Sequence, residues 1–337
     1  MGNVPLIGFL SDRLRTFPSY RYIQEDIVRL MVFSPNSICW DTQRINGLLL
    51  NDHEWIRAEL PFPDAVYNRC YSNQRQLVHR VEQVIGEQKV FNHETWLDKW
   101  KTHKLLENSS VGKYLPRTKL LDYEELSNHL AEEILNPGFV LKPRLGSQGQ
   151  GVFRIAKEMG TIIINRSDNT PLVTGSDPSQ IIKVLREHIP ATKYVLQQFI
   201  SLATVDHGVF DIRILLQKNG MGHWKVSAGL SRVAMVGHFV TNICGDIRSL
   251  HDILGNDIAL MDRIIEISME TAEGLEKGGL LGELSVDFGI DRDGQLWIIE
   301  VNGKPAKELF VSLHDMAMIE RVYLRPIEYA LYLSKRG

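Results

Sequence analysis

Two carboxylates and an amide stand close together near the end of the chain, where residues 282–305 read GELSVDFGIDRDGQLWIIEVNGKP. Asp293-Gly294 lies between two apolar runs and predicts a two-residue hairpin turn, because both turn positions must tolerate positive φ. That turn sets Asp287 directly opposite Glu300. Facing carboxylates destabilise a strand pair, and the apolar neighbours Val286, Phe288, Ile298 and Ile299 raise the cost of an unpaired charge. A bound divalent cation would remove the conflict. Asn302 lies two residues beyond Glu300 and so points to the same face. Asp287, Glu300 and Asn302 together offer three hard oxygen donors, the set that suits Mg2+, or alternatively Mn2+, alongside phosphate oxygens and water. Taken singly, either carboxylate reads equally well as a solvent-facing partner of a lysine.

A second pattern precedes it. Residues 146–151 read Gly-Ser-Gln-Gly-Gln-Gly, between a strand-like run at 139–143 and another at 152–155. Glycines let a backbone approach phosphate closely and turn its N–H groups toward the anion. No Gly-Lys-Ser/Thr follows, and a strand rather than a helix comes next, so neither the Walker nor the dinucleotide fingerprint fits. Strand, glycine loop and strand make a flap, which Lys142 on the leading strand could reach across. By itself, the loop reads more simply as a flexible turn beside an exposed lysine.

These residues need a scaffold. The chain has 337 residues, 44% of them hydrophobic, with a formal net charge of −3. That supports a large core divided among two or three domains. No Lys/Arg cluster dominates any stretch, which argues against nucleic-acid binding and an electrostatic membrane anchor. Cys39, Cys70 and Cys244 are odd in number and form no CxxC pair, so a reducing compartment is expected. There is no secretory leader pattern, no myristoylation signal at Gly2 and no run of about 18 apolar residues. The expectation is a soluble, cytoplasmic chain. No HExxH or G-x-S-x-G context occurs, which argues against zinc and a hydrolase elbow.

The periodicity predicts an α/β chain in three parts. Residues 1–92 form a small domain with a strand at 6–10, a helical stretch at 22–31 and an apolar run at 37–40. Residues 93–200 carry a helix over 94–106, the flap, and a helix at 177–188 capped by Asp177 with Pro178 first inside. Residues 201–337 hold strands at 211–217 and 225–236, a long helix at 257–277 stopped by Gly278-Gly279, the carboxylate hairpin and a closing helix.

Over roughly residues 95–310 these features resemble the ATP-grasp superfamily. The spacing of Asp287 and Glu300, followed by Val301 and Asn302, is similar to its metal-binding hairpin. Phe139 to Pro143 with the glycine loop resembles its small-lid strand and flap. Residues 194–200, Tyr-Val-Leu-Gln-Gln-Phe-Ile, resemble the linker that holds adenine. Phe210-Asp211-Ile212-Arg213, Ser231-Arg232-Val233-Ala234 and Val240-Thr241-Asn242 resemble the order in ribosomal-protein glutamate ligases. Residues 63–69, residues 115–118 and the Asn-Gly-Lys-Pro ending bring the chain nearest to the YheC/YheD-like group of spore-forming bacteria, described as endospore coat-associated. The fold implied is ATP-grasp with an N-terminal pre-ATP-grasp α/β domain.

The resemblance implies roles. Lys142 binds the α- and β-phosphates, with Lys99 or Lys104 as the second lysine. Ser147, Gln148, Gly149 and Gly151 form the flap, and Gln197, Gln198, Phe199 and Ile200 line the adenine linker. Arg213 and Arg232 stabilise the γ-phosphate and the developing acyl-phosphate oxyanion. Asn242 contacts phosphate or metal, and Asp287, Glu300 and Asn302 hold the cation. The implied reaction joins a small-molecule carboxylate, such as an amino acid or peptide, to an amine with ATP and Mg2+ or Mn2+, releasing ADP and phosphate. A small-molecule kinase, or a spore-associated structural protein without turnover, are the alternatives. Neither nucleic acid nor membrane is an expected partner, and a homodimer is left open. Three departures stand out: Gln197-Gln198 in place of a linker glutamate, Ile243-Cys244-Gly245-Asp246 in place of a glycine pair, and Gly303-Lys304-Pro305-Ala306 where relatives carry a small residue, Pro and Gly.

Overall fold

The apolar run Leu6–Leu10 forms the expected strand, and all five of its residues are buried. It lies parallel to Arg29–Phe33 on one side and to Ala65–Asn68 on the other. The computed structural model describes residues 4–21, 23–132, 138–146 and 149–336. The helix expected over 22–31 is absent from its described residues: Pro18–Tyr20 is a single 3-10 turn and Arg29–Phe33 is a strand. Leu30, Met31, Val32 and Phe33 are all buried. A strand covered on both faces shows an unbroken apolar run, which periodicity alone does not separate from a buried helix. The sheet extends through a hairpin, Arg44–Asn51 with Glu54–Pro61. Its turn is Asp52-His53, both at positive φ (49° and 64°), as a two-residue hairpin turn requires.

A second sheet is antiparallel throughout its described pairings, in the order Pro171–Gly175, Thr161–Arg166, Phe153–Glu158, Phe139–Pro143, Tyr194–Gln198, Thr118–Leu120. Two helices cover one face, Tyr123–Ala131 and Pro178–His188, packing Leu126, Leu130, Ile181 and Leu185 against Leu141, Ile155 and Ile164. The Asp177 cap and Pro178 stand where the sequence puts them, with the carboxylate accepting from Ser179 N–H.

The third sheet is also antiparallel, in the order Cys244–Arg248, Trp224–Ala234, Gly208–Lys218, Glu283–Ile290, Leu296–Asn302. The long helix Ile258–Glu276 buries Ile264, Ile267, Ala272 and Leu275 against it. The closing helix Met316–Ser334 packs Ile327, Tyr329, Ala330 and Leu333 against Ile7, Phe9 and Tyr67 of the first sheet, and Met318 and Val322 against Leu215 and Leu230 of the third. One helix thus fixes the angle between these two sheets. Among the described residues, no helix is long and apolar enough to cross a membrane.

Candidate active site

The carboxylate hairpin reaches its register by an unexpected route. Asp291 N–H donates to Gln295 O at 3.0 Å, which leaves a three-residue loop at 292–294, with Gly294 at φ +82°. The Asp291 carboxylate braces this loop by accepting from the N–H groups of Asp293 and Gln295. Pairing is therefore one residue off the two-residue expectation, with Phe288 opposite Ile298. A bulge between Asp287 and Phe288 then takes up one residue, Ile299, and brings Asp287 opposite Glu300 after all. The bulged residue has a use, since its carbonyl accepts from Lys142 Nζ at 3.4 Å.

Cross-strand pairing sets opposite charges side by side. Asp211 and Arg213 lie two apart on one strand and share a face. Asp211 is paired with Arg232 on one flank, and Arg213 with Asp287 on the other. Arg213 grips Asp287 through Nε and Nη2, both at 2.7 Å, and Arg232 Nη2 reaches Asp287 Oδ2 at 2.9 Å. Arg232 also forks onto Asp211 and donates to Asn242 Oδ1 at 3.0 Å. Thr241 Oγ1 donates to Asp211 at 2.5 Å. All four charged groups are at most 5% exposed. Burial works against ionisation of Asp287, but the guanidinium groups of Arg213 and Arg232 outweigh it and hold its carboxyl below the usual range.

Lys99 closes the row: its Nζ lies 2.9 Å from Glu300 Oε1 and donates to Gly146 O at 3.0 Å. The helix that carries it starts later than expected, at Lys99–Leu106, because Asp98 caps it by accepting from Trp100 and Lys101 N–H. The Asp98 carboxylate also binds Arg144 at 2.7 Å, which ties the helix start to the end of strand Phe139–Pro143. Lys104 is one turn further on, exposed, paired with Glu107 and set over the Trp100 ring. Of the two lysines, Lys99 alone lines the cleft between the second and third sheets.

Lys142, Gln197, Gln198, Phe199, Ile200, Asn242, Gly149, Asp287 and Glu300 line the same cleft, and Arg232 stands at its floor. Arg213 and Asn302 face an adjoining cavity, and Asn302 Nδ2 lies 3.4 Å from Asp287 Oδ2. Gly149 and Gly151 both sit at φ +68°, and a Cβ on Gly151 would meet Tyr194 Oη at 2.9 Å. Ser147 and Gln148 lie outside the described residues. The side chains of Gln197 and Gln198 are held by Thr118 and Arg117.

Sequence reading passed over Asp211, Thr241, Phe239 and Arg154 as site residues. Asp211 could have been found, since it stands two residues before Arg213 and so shares its face. Arg154 could not. It stands 4.3 Å over the Phe199 ring, which meets Phe239 edge-on, through contacts that no local pattern encodes.

The cleft has a cavity of about 100 Å³. It continues into a second of about 380 Å³, the two sharing Lys99, Gly146, Gln150, Arg232, Asn242 and Glu300. Across the two cavities five cations (Lys99, Lys142, Arg213, Arg232, Lys304) face three carboxylates (Asp211, Asp287, Glu300), leaving two positive charges in excess. A polyanion suits this balance better than a bare cation does.

Comparison with known proteins agrees with this architecture. The family described as YheC/D like ATP-grasp matches residues 87–333. The endospore coat-associated protein YheD of Bacillus subtilis (strain 168) is 26% identical over 325 residues, spanning 91% of this chain and 71% of that protein. Among solved structures, N5-carboxyaminoimidazole ribonucleotide synthetase from Thermotoga maritima superposes with a TM-score of 0.57 at 14% identity, covering 96% of this chain and 76% of its own. The VanG D-Ala:D-Ser ligase from Enterococcus faecalis gives 0.58 at 12% identity, covering 97% and 100%. The matched segment contains both sheets that wall the cleft, and the chain belongs to the YheC/D-like ATP-grasp family.

Proposed function

We propose that the chain is an ATP-dependent carboxylate–amine ligase that works through an acyl phosphate. The observation that carries this reading is the row of ion pairs from Arg232 to Lys99, which joins the lid-side cleft to a second cavity large enough for a substrate. The names of the two solved structures, a synthetase and a ligase, support the same reaction class.

In this reading Lys142 and Lys99 bind the triphosphate from the lid side and from the capped helix, and Arg232 faces its transferring end. The 100 Å³ cleft is smaller than a typical small-molecule site of about 300 Å³ or more, so nucleotide entry parts the two sheets. The substrate carboxylate attacks the γ-phosphoryl group and ADP departs. Charge gathers on phosphoryl oxygens, where the fixed arginine and lysine groups lower the barrier without reorganising. The amine then displaces phosphate from the acyl phosphate, and the glycine flap keeps water out.

Asp287, Glu300 and Asn302 fit a divalent cation by donor chemistry: two carboxylates on facing positions, and an amide whose oxygen and nitrogen exchange places on a half-turn. When bound, Mg2+ or Mn2+ would neutralise charge on the phosphoryl oxygens. The description of the relative YheD as endospore coat-associated supports a spore-associated place of action.

The test is incubation with ATP, MgCl2 and pooled amino acids or short peptides in the presence of hydroxylamine. Hydroxamate together with ADP is expected. AMP and pyrophosphate would overturn the acyl-phosphate reading, and ADP without hydroxamate would indicate transfer to a hydroxyl.

Lys142 gives the reaction a pH signature. Burial pushes its ammonium down to about 8; Glu300 pulls it back up and Lys99 adds to the fall. The protonated form, which binds phosphate, is present below that value and lost above it. The kcat/KM for ATP, which reports the free enzyme, is therefore expected to decline above about pH 8. Arginine keeps its charge throughout, so Lys142→Arg should lack that limb. An unchanged alkaline limb in the variant would assign it to another group.

A further inference from the structure

Among the described residues, one cation of the second cavity has neither a carboxylate nor a hydrogen-bond partner. Of the four that line it, Lys99 is paired with Glu300, Arg213 with Asp287, and Arg232 with Asp211 and Asp287. The fourth, Lys304, belongs to the segment after the metal-type strand. Its Nζ is shielded from solvent and has no hydrogen-bond partner among the described residues. It stands 2.9 Å from the centre of the Tyr71 ring. Arg69 and Arg15 are near enough to repel it. Asp12 attracts it, but the Asp12 carboxylate is taken up by Ser72 and the N–H groups of Tyr71 and Ser72. The Tyr71 ring face is a weak partner for a shielded ammonium that has no carboxylate or hydrogen-bond acceptor among the described residues, and an anion from outside the chain would supply the missing one.

Lys99, Arg232 and Glu300 line both this cavity and the nucleotide cleft, whereas Lys304 lines the second cavity alone. A substrate filling the cavity would meet the reacting groups at one end and Lys304 at the other. Arg69 is paired with Glu283, and neither it nor Arg15 lines the cavity, so a ligand there meets one unpaired ammonium, which matches a single carboxylate better than a doubly charged phosphate.

Resting on the ligase reading, we propose that the acyl substrate carries a second carboxylate, distal to the reacting one, and that Lys304 is the residue that selects it. The substrate class is then a dicarboxylate, such as an acidic amino acid or a peptide with an acidic end.

The test compares glutarate and glutamate with their monoamides, glutaramate and glutamine, on the wild type, Lys304→Met and Lys304→Arg. Calorimetric binding of each acid is measured in the presence of ADP and MgCl2, and ATP turnover with each is measured separately. The acids are expected to bind more tightly than the amides. Lys304→Met should weaken the acids by about 10- to 100-fold, the loss of one charge-assisted hydrogen bond, and erase the acid–amide difference. Lys304→Arg should keep the preference, and the KM for ATP should move less than about twofold in either variant. Acids and amides binding alike, or an acid preference that survives in Lys304→Met, would overturn the assignment, as would absence of binding by any dicarboxylate. Acid binding that depends on Lys304 without any ATP turnover would leave the assignment standing and remove the ligase reading instead. Turnover with acids that ignores Lys304 would do the reverse.

Discussion

Glu300→Gln is expected to slow ATP-dependent hydroxamate formation by about 10²–10³-fold, the size of effect seen when one preorganised electrostatic contact to a transition state is removed. The carboxylate holds Lys99 at 2.9 Å and stands opposite Asp287. A glutamine keeps the shape but neither holds the ammonium by charge nor offers a cation a second negative donor. Glu300 is only partly buried and lies at the edge of the network, so the fold should tolerate the change. Melting within a few degrees of wild type would confirm that the loss is catalytic. Asp287→Asn is a harsher change. It strips Arg213 and Arg232 of a shared carboxylate in a buried place, and activity and stability should fall together. Lys99→Met should fall with Glu300→Gln, whereas Lys104→Met, on the far side of the helix, should behave as wild type. Full turnover in Glu300→Gln would remove the hairpin from the reaction.

The carboxylate hairpin shows why part of this site is legible in sequence. Strand pairing is local arithmetic: once a glycine marks the turn, the residues on each arm are counted from it. Here the count reached the right partner through two departures that cancel. The loop has three residues rather than two, and the bulge at Ile299 gives back the lost step. Asp177 and Pro178 were readable for a similar reason, since a cap satisfies N–H groups within the next turn. Lys99 and Lys104 could not be told apart, because the choice depends on which side of a short helix meets Glu300 and Gly146, residues far along the chain. The helix expected at 22–31 failed for another local reason: an interior strand with both faces covered carries no period of two. Arg154 and the lone cation at Lys304 were invisible as site features. Each is defined by what surrounds it in space, and for Lys304 by what does not.

Glu283→Ala is expected to destabilise the fold by about 3–5 kcal/mol, the cost of leaving buried charges uncompensated. Glu283 is fully buried and accepts from four groups. Tyr67 Oη and Arg69 Nη1 (3.2 Å) come from the end of the first sheet, Gln217 Nε2 from the neighbouring strand, and Lys307 Nζ (2.7 Å) from the segment beyond the hairpin. Burial alone would raise the pKa of this carboxyl, but Lys307 and Arg69 outweigh it and hold it below the ordinary value. Its contribution is therefore present above the unfolded-state pKa and lost as pH falls through the lower folded-state value. The gap between wild type and Glu283→Ala, read by urea unfolding, should narrow as the pH is taken into the acid range. Glu283→Gln should lie between the two, since the amide preserves some hydrogen bonds without the charge. The consequence reaches function because the same residues fix the first sheet against the third. Next to Glu283, the amide side chain of Asn92 accepts from Gly282 N–H at 2.8 Å and donates toward Gly303 O. Tyr71 and Thr95 of the first 100 residues line the second cavity together with Asn302 and Lys304. If that lock yields, the cavity loses this lining before the nucleotide cleft is disturbed. Substrate KM should accordingly rise in Glu283→Gln at temperatures where nucleotide binding is still intact. A loss of less than about 1 kcal/mol in Glu283→Ala would reduce the network to the worth of a surface ion pair and leave the closing helix as the main tie between the sheets.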